Sequence, residues 1–257
     1  AAEAVHGGSA AARFPGIDPC AHNVNWSDVV KGTVELVDEM RRKKYADLLP
    51  EYELLDYFEG GPARLVKGGV EAGGNTYNAG RIIVATGSRP HVPDIAGIAD
   101  VDVLDSTDLL ALEERPENLI VMGGGYIGAE LAQMASRLGV EVTLVTRSRL
   151  LPRAEPEVAE ALSDALKAEG VRLETGASYR RIAAEDGGVA LTIERNGAPI
   201  TLKAERLVTT TGRVANSDGL GLEVFGIETD ARGSICVGSD MATSCGGVYA
   251  AGDVTDR

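Results

Sequence analysis

The stretch that most constrains the chain runs from Leu119 to Val145. Four apolar residues, Leu119-Ile120-Val121-Met122, lead into Gly123-Gly124-Gly125-Tyr126-Ile127-Gly128. A helical pattern then continues to Arg137-Leu138 and stops at Gly139, and Glu141-Val142-Thr143-Leu144-Val145 follows as a second strand. This is a strand–turn–helix–strand unit. A glycine turn between the first strand and the helix is the arrangement a dinucleotide site needs. Gly123 permits the tight turn, Gly125 lets the backbone approach a pyrophosphate, and Gly128 allows the helix to sit close to the strand. The helix N-terminus then faces the negative charge. The alternative is a glycine turn that serves packing alone.

The end of the second strand bears on which dinucleotide. NAD sites usually carry an acid there for the ribose 2′-hydroxyl, whereas this chain has Thr146 followed by Arg147, with Arg149 and Arg153 close behind. Guanidinium groups offer bidentate hydrogen bonds to a 2′-phosphate, so Arg147 and Arg153 predict a preference for NADPH. Solvent-exposed loop arginines are the alternative, Arg149 above all.

An internal repeat brackets this unit. RIIVATG at 81–87 returns as RLVTTTG at 206–212, each a basic residue, a buried-type strand and a Thr-Gly turn. Ahead of the first copy, residues 52–84 read as short strands broken by Gly60-Gly61-Pro62, Gly68-Gly69 and Gly73-Gly74-Asn75. Residues 1–26 start like the end of a helix and pass into Gly and Pro turn chemistry. Ser27 is expected to cap a helix whose apolar face is Val30, Val34, Val37 and Met40. A helix over 157–169 is expected to turn Val158, Ala161, Leu162, Ala165 and Leu166 inward, with Gly170 ending it. The runs 189–195 and 200–208 read as antiparallel strands about the Asn196-Gly197 turn. Near the end, VYAAGD at 248–253 is a small-residue strand closing on a carboxylate, either a hydroxyl acceptor or an ordinary turn aspartate.

Composition excludes several classes. The formal net charge of −14 leaves no basic footprint for nucleic acid or an anionic membrane, and no apolar run is long enough to span a bilayer. Cys20, Cys236 and Cys245 lack metal-site spacing and cannot build a disulfide framework, so no metal is expected and a cytoplasmic setting is. The chain opens at Ala1 and stops just after YAAGD, so it is expected to be the interior of something longer.

These motifs, in this order, resemble the pyridine nucleotide–disulfide oxidoreductases over essentially the whole chain. IVATGSRP at 83–90 is similar to the family's exit strand, GGGYIGAE at 123–130 to its pyridine-nucleotide site, TTGR at 210–213 to the return, and YAAGD at 249–253 to the flavin-binding end. The segments AAEAVHGGSAAARFPGI, KYADLLP and LVTRSRLLPRAEPE resemble its mercuric reductase branch. The resemblance implies an α/β fold of two Rossmann-like, three-layer β/β/α dinucleotide-binding domains, with the FAD domain interrupted by the NAD(P) domain and both ends truncated. Residues 1–104 would be a partial FAD domain, 105–211 the NAD(P) domain and 212–257 the return into the FAD domain.

It also implies FAD and NADPH as cofactors, with electrons passing through the flavin and a cysteine pair to Hg(II), giving Hg(0). Lipoamide dehydrogenase or another disulfide reductase remains an alternative, as does a nucleotide-binding module without activity. The first flavin-binding glycine motif and the cysteine pair would precede Ala1. A domain forming a homodimer would follow Arg257, beyond which the mercuric branch carries its mercury-delivering cysteines. Gly123, Gly125, Ile127 and Gly128 would hold the NADPH pyrophosphate, Arg147 and Arg153 the 2′-phosphate, and Thr211, Gly212 and Arg213 would flank the nicotinamide. Tyr126 resembles the gate over the flavin, or else is a tyrosine packed on the helix face. Glu130 matches a carboxylate that pairs with a lysine near the flavin, or else lies on the helix surface. Ala85, Thr86, Gly87, Gly252 and Asp253 would contact FAD, with Pro62 and Ala63 near its adenine. No cysteine matches a redox position, and His6, His22 and His91 have no assigned role. Two departures, Ala215 for the proline of G-R-x-P-N and Gly246 for a proline before YAAGD, are expected to loosen loops.

Overall fold

The computed structural model describes residues 1–10 and 23–257. The expected turn around Pro15, Gly16 and Pro19, and with it Cys20 and His22, lies outside the described residues. Along the chain come α1 (Ala2–Ala10), α2 (Trp26–Arg41), β1 (Ala63–Val66), β2 (Gly69–Ala72), β3 (Asn75–Asn78), β4 (Ile82–Val84) and β5 (Ser88–Pro90). Then follow α3 (Ser106–Leu110), β6 (Asn118–Met122), α4 (Tyr126–Arg137), β7 (Glu141–Val145), α5 (Pro156–Ala168) and β8 (Arg172–Glu174). The remainder is β9 (Ser178–Glu185), β10 (Gly188–Arg195), β11 (Ala198–Ala204), β12 (Arg206–Thr209), β13 (Arg213–Ala215) and β14 (Val248–Ala250). The chain divides into two compact units, Ala1–Tyr45 with Val92–Gly212, and Ala46–His91 with Arg213–Arg257.

The first unit has three layers. Its centre is a parallel sheet in the order β12-β6-β7-β8, and on it lies an antiparallel sheet in the order β11-β10-β9. Alternation along β6 sorts its side chains between two cores. Leu119 and Val121 join Leu131, Ala132 and Ala135 of α4, Leu166 of α5 and Trp26 of α2. Ile120 and Met122 join Ile182, Leu191, Ile193 and Leu202 of the antiparallel layer. A sheet covered on both faces needs continuous apolar strands, which is why LIVM carries no polar residue. Residues 92–104 belong to this unit too: Ile95 sits in the second core and Leu104 in the first.

Several local expectations change. The cap of α2 is Asn25, whose side chain accepts from the Asp28 amide, so the helix starts one residue before Ser27. Trp26 supplies the reason: its ring is buried and its Nε1 donates to the Leu112 carbonyl at 2.7 Å, which draws position 26 into the first turn. Val34, Val37 and Met40 are exposed. On α5 the inward residues are Ala159, Leu162 and Leu166, while Val158, Ala161 and Ala165 face outward. The stripe 159-162-166 is itself a helical face, one step round from the expected one. The run 200–208 is two strands, because the Glu205 amide donates to Asn118 Oδ1 and the Glu205 carboxylate accepts from the Glu117 amide. Those bonds end β11 and start β12 in the other sheet. The hairpin about Asn196-Gly197 forms with φ of 54° and 77° at the two positions, the left-handed pair a two-residue turn requires.

The second unit is built from short strands. β1-β2-β3 is an antiparallel meander, β4 pairs in parallel with β14, and β5 pairs antiparallel with β13. Its core gathers Leu65, Val84, Ile227, Ile235, Val248 and Val254. Ala215 lies in β13, buried and opposite Ser88, rather than in a loop.

Candidate functional site

In the first unit the glycines of the turn divide by what confines them. A Cβ on Gly128 would lie 2.0 Å from the Gly123 carbonyl oxygen, and one on Gly124 would lie 2.6 Å from Thr146 Oγ1. Gly123 has φ of 118°, outside the range side chains favour. The chain's own packing therefore accounts for these three. Gly125 differs: its φ of −80° suits any residue, and a Cβ there would meet nothing within 4 Å. A glycine that the protein does not itself require fits a backbone left bare for a ligand.

The amides agree with this. The N–H groups of Gly124, Gly125, Tyr126 and Ile127 have no acceptor among the described residues, while the next turn of α4 is closed by the Ala129 amide on the Gly125 carbonyl at 3.0 Å. Four free donors at the positive end of a helix suit a pyrophosphate. Gly125 is also the N-cap and brings no side-chain acceptor of its own.

The loop after β7 is held against the turn. The Gly123 amide donates to the Val145 carbonyl at 2.8 Å, and the Leu151 amide donates to the Gly124 carbonyl at 2.7 Å. Thr146 is 5% exposed beneath Gly124, so position 146 points into the turn. The three arginines of the loop then separate. Arg149 Nη2 donates to the carbonyls of Pro152 (3.2 Å) and Ala154 (2.6 Å), which makes it a brace of the loop. Arg147 and Arg153 are exposed and make no hydrogen bond or ion pair among the described residues. Nearby, the Tyr179 hydroxyl donates to the Val145 carbonyl at 3.0 Å. Burial pushes its pKa up to about 12, against the pull of Arg147 and the Gly123 amide.

Tyr126 and Ile127 open α4, and Tyr126 is 63% exposed, so it is not packed on the helix face. Glu130 is exposed one turn further along. Thr211 and Gly212 close the second repeat, Gly212 with φ of 126°.

The second unit holds the other group. Asp253 accepts a hydrogen bond from Ser88 Oγ at 2.9 Å, and Arg213 donates through Nε to the same Ser88 Oγ at 2.8 Å and through Nη2 to the Ser88 carbonyl at 2.6 Å. Arg213 thus falls with Asp253 and the first repeat. Thr86 Oγ1 donates to the Asn216 carbonyl at 2.7 Å, and Asn216 Nδ2 returns a bond to the Thr86 carbonyl at 2.9 Å. Arg89 pairs with Asp218 and donates to Asn216 Oδ1. Gly87 and Gly252 have φ of 68° and 78°, and a Cβ on either would meet nothing within 4 Å. Ala85, Thr86, Gly252 and Asp253 are exposed, as are Pro62 and Ala63 at the start of β1. Among the described residues only one carboxylate oxygen of Asp253 is engaged, so it retains an acceptor for a ligand hydroxyl. Ser88, Arg89, Asn216 and Asp218 were not singled out by sequence; only their place beside the two Thr-Gly turns marks them.

Cys236 and Cys245 are free and half-buried. Burial and the acids Asp256, Asp230 and Glu228 push the Cys236 thiol up, away from the thiolate that reactivity needs. Among the described residues no helix is long and apolar enough to cross a membrane.

The chain is similar to known proteins over nearly its full length. It is 37% identical to the mercuric reductase of Streptomyces lividans, an alignment covering 99% of this chain and 55% of that protein. It is 40% identical to the mercuric reductase of Bacillus cereus, over 94% of this chain and 38% of the relative. It superposes on the HOCl-induced flavoprotein disulfide reductase RclA of Escherichia coli with a TM-score of 0.83 at 28% identity, covering 98% of this chain and 55% of that one. The chain therefore spans about half or less of the length of these relatives. The pyridine nucleotide-disulphide oxidoreductase profile matches residues 11–257; with the glycine turn, both Thr-Gly repeats and the closing aspartate inside that match, the chain belongs to this family.

Proposed function

We propose that the first unit is the NADPH site, and the second part of the FAD site, of an oxidoreductase that acts on Hg(II). The observation that carries the nucleotide reading is the pairing of a bare Gly125 beside free amides with Arg147 and Arg153, two exposed arginines that make no hydrogen bond or ion pair among the described residues. When bound, NADPH would supply a hydride and FAD would be the group that takes it up. The amides of Gly124 to Ile127 hold the pyrophosphate, and Gly128 keeps α4 close enough for them to converge. Arg147 and Arg153 hold the 2′-phosphate, where Thr146 offers no carboxylate to a ribose hydroxyl. Tyr126, exposed at the start of α4, would serve as a gate, and Glu130 lies on the same helix to pair with a cation. Thr211 and Gly212 flank the nicotinamide. Thr86, Gly87, Gly252 and Asp253 hold the flavin nucleotide, with Arg213 positioning Asp253 through Ser88.

Hg(II) as acceptor is supported by what the two relatives are named, and thiolates suit that soft ion. Disulfide reduction is the second reading, supported by the likeness to RclA. The test is NADPH oxidation by the protein extended to the length of its relatives, assayed with Hg(II) and with small disulfides. Consumption driven by Hg(II) supports the first reading, and consumption driven by disulfides alone supports the second. Nucleotide binding without oxidation under either condition would leave a nucleotide-binding module.

A further inference from the structure

In the second Thr-Gly repeat, the Thr210 side chain reaches the glycine turn. The equivalent residue of the first repeat is Ala85. Thr210 Oγ1 lies 2.9 Å from the Met122 carbonyl oxygen and 3.1 Å from that of Gly123. Met122 also receives the Thr210 amide at 2.7 Å, whereas the Gly123 carbonyl has no other donor among the described residues. The hydroxyl fills the notch made by the two flanking glycines: a Cβ on Gly128 would lie 2.7 Å from Thr210 Oγ1, and one on Gly123 would lie 2.8 Å from it. Thr209 and Thr211 pair with each other at 3.1 Å, and side-chain alternation along an extended segment turns Thr210 the other way.

We propose that Thr210 is a positioning residue for the nucleotide, setting the direction of the first free amide of the turn; this rests on the reading of the turn as a pyridine-nucleotide site. A trans peptide holds its carbonyl and the following N–H in one plane, pointing in opposite directions. Anchoring the Gly123 carbonyl on the Thr210 hydroxyl therefore aims the Gly124 N–H the other way, as the first donor of the Gly124 to Ile127 set. Without the hydroxyl, the Gly123 carbonyl loses its donor, and the aim of the Gly124 N–H rests only on the neighbouring bonds of the Gly123 and Leu151 amides. The pyrophosphate is common to NADPH and NADH, so the effect is independent of the 2′-phosphate.

The test is fluorescence titration of the 257-residue chain with NADPH and NADH, comparing wild type with Thr210→Val, which keeps the shape and removes the donor, and Thr210→Ser, which keeps the donor. Thr210→Ala, the residue found in the first repeat, serves if the valine variant does not fold. The expected result is a loss of about 3- to 10-fold in affinity, equal for the two nucleotides, with Thr210→Ser within about twofold of wild type and the unfolding midpoint unchanged. Wild-type binding with no change in the valine or alanine variant overturns the role of Thr210 alone. So does a loss that serine does not rescue and that follows a lowered midpoint, which would make Thr210 a packing residue. A wild type that binds neither nucleotide overturns the site reading and this inference with it.

Discussion

The two Thr-Gly repeats share a sequence pattern and fold into unlike surroundings. In the second copy, Leu207 and Val208 are fully buried: Leu207 faces the antiparallel layer, Val208 faces the helices, and Leu104 bonds along the outer edge of β12. In the first copy, Val84 is buried in the core of its unit while Ile83 is 71% exposed, and β4 has β14 as its strand partner. A basic residue, a short apolar run and a Thr-Gly turn thus specify a strand that ends in a glycine turn, but not how many layers cover it. The layers come from what the rest of each unit supplies, and only the first unit supplies two.

The sharpest way to break this comparison is to truncate one apolar residue in each copy. Leu207→Ala should cost about 2–5 kcal/mol, the range for a closed core, while Ile83→Ala should cost less than about 0.5 kcal/mol, the range for surface positions. Denaturant unfolding followed by hydrogen exchange at β12 and β4 measures both, and equal losses would mean that β4 is covered after all.

The next test compares the closing glycines. Gly87 at φ of 68° lies in the left-handed basin, whereas Gly212 at φ of 126° lies outside it. Alanine should therefore cost more at 212 than at 87, within about 1–3 kcal/mol for each. A larger loss at 87, read from the unfolding midpoints, would contradict the backbone assignment.

A smaller effect belongs to the helical layer that only the first unit has. Glu169 accepts from Arg137 Nε at 2.7 Å and from Gln133 at 3.0 Å, and Arg137 also pairs with Glu3 of α1. The hydrogen bond from Arg137 first, opposed by burial and helped by the charges of Arg137 and His6, holds the Glu169 carboxyl below its ordinary range. A carboxylate depressed in the folded state contributes stability above its unfolded pKa and loses it as pH falls through the folded value. Stability should therefore decline on acidification, and Glu169→Gln should flatten that limb. A pH series of thermal melts that shows the same acid slope in both proteins would remove Glu169 from the cluster's energetics.

What was legible in the sequence was local. The strand, glycine turn and helix of 119–137 rest on spacings of one to five residues, and the hairpin at Asn196-Gly197 on two. Long-range partners left no such mark: Ser88 with Asp253, Thr86 with Asn216 and Arg89 with Asp218 join residues 129 to 165 positions apart. β9 escaped because SYRRIAAE alternates weakly; Ile182 is its one deeply buried side chain. Asn25 displaced Ser27 as a cap because Trp26, a residue with no helical signal of its own, is drawn into the core. The turn on α5 was misplaced by one step because Ala159, Ala161 and Ala165 are alike in sequence and differ only in what faces them.

The most direct measurement of the nucleotide reading is calorimetric titration of the chain with NADPH and NADH, in wild type and in Arg147→Glu. Hydrogen bonds to charged groups contribute about 1.5–3 kcal/mol each, so wild type should prefer NADPH by about tenfold or more, and Arg147→Glu should remove that preference while leaving NADH binding nearly unchanged. Equal affinities for the two nucleotides in wild type would contradict it.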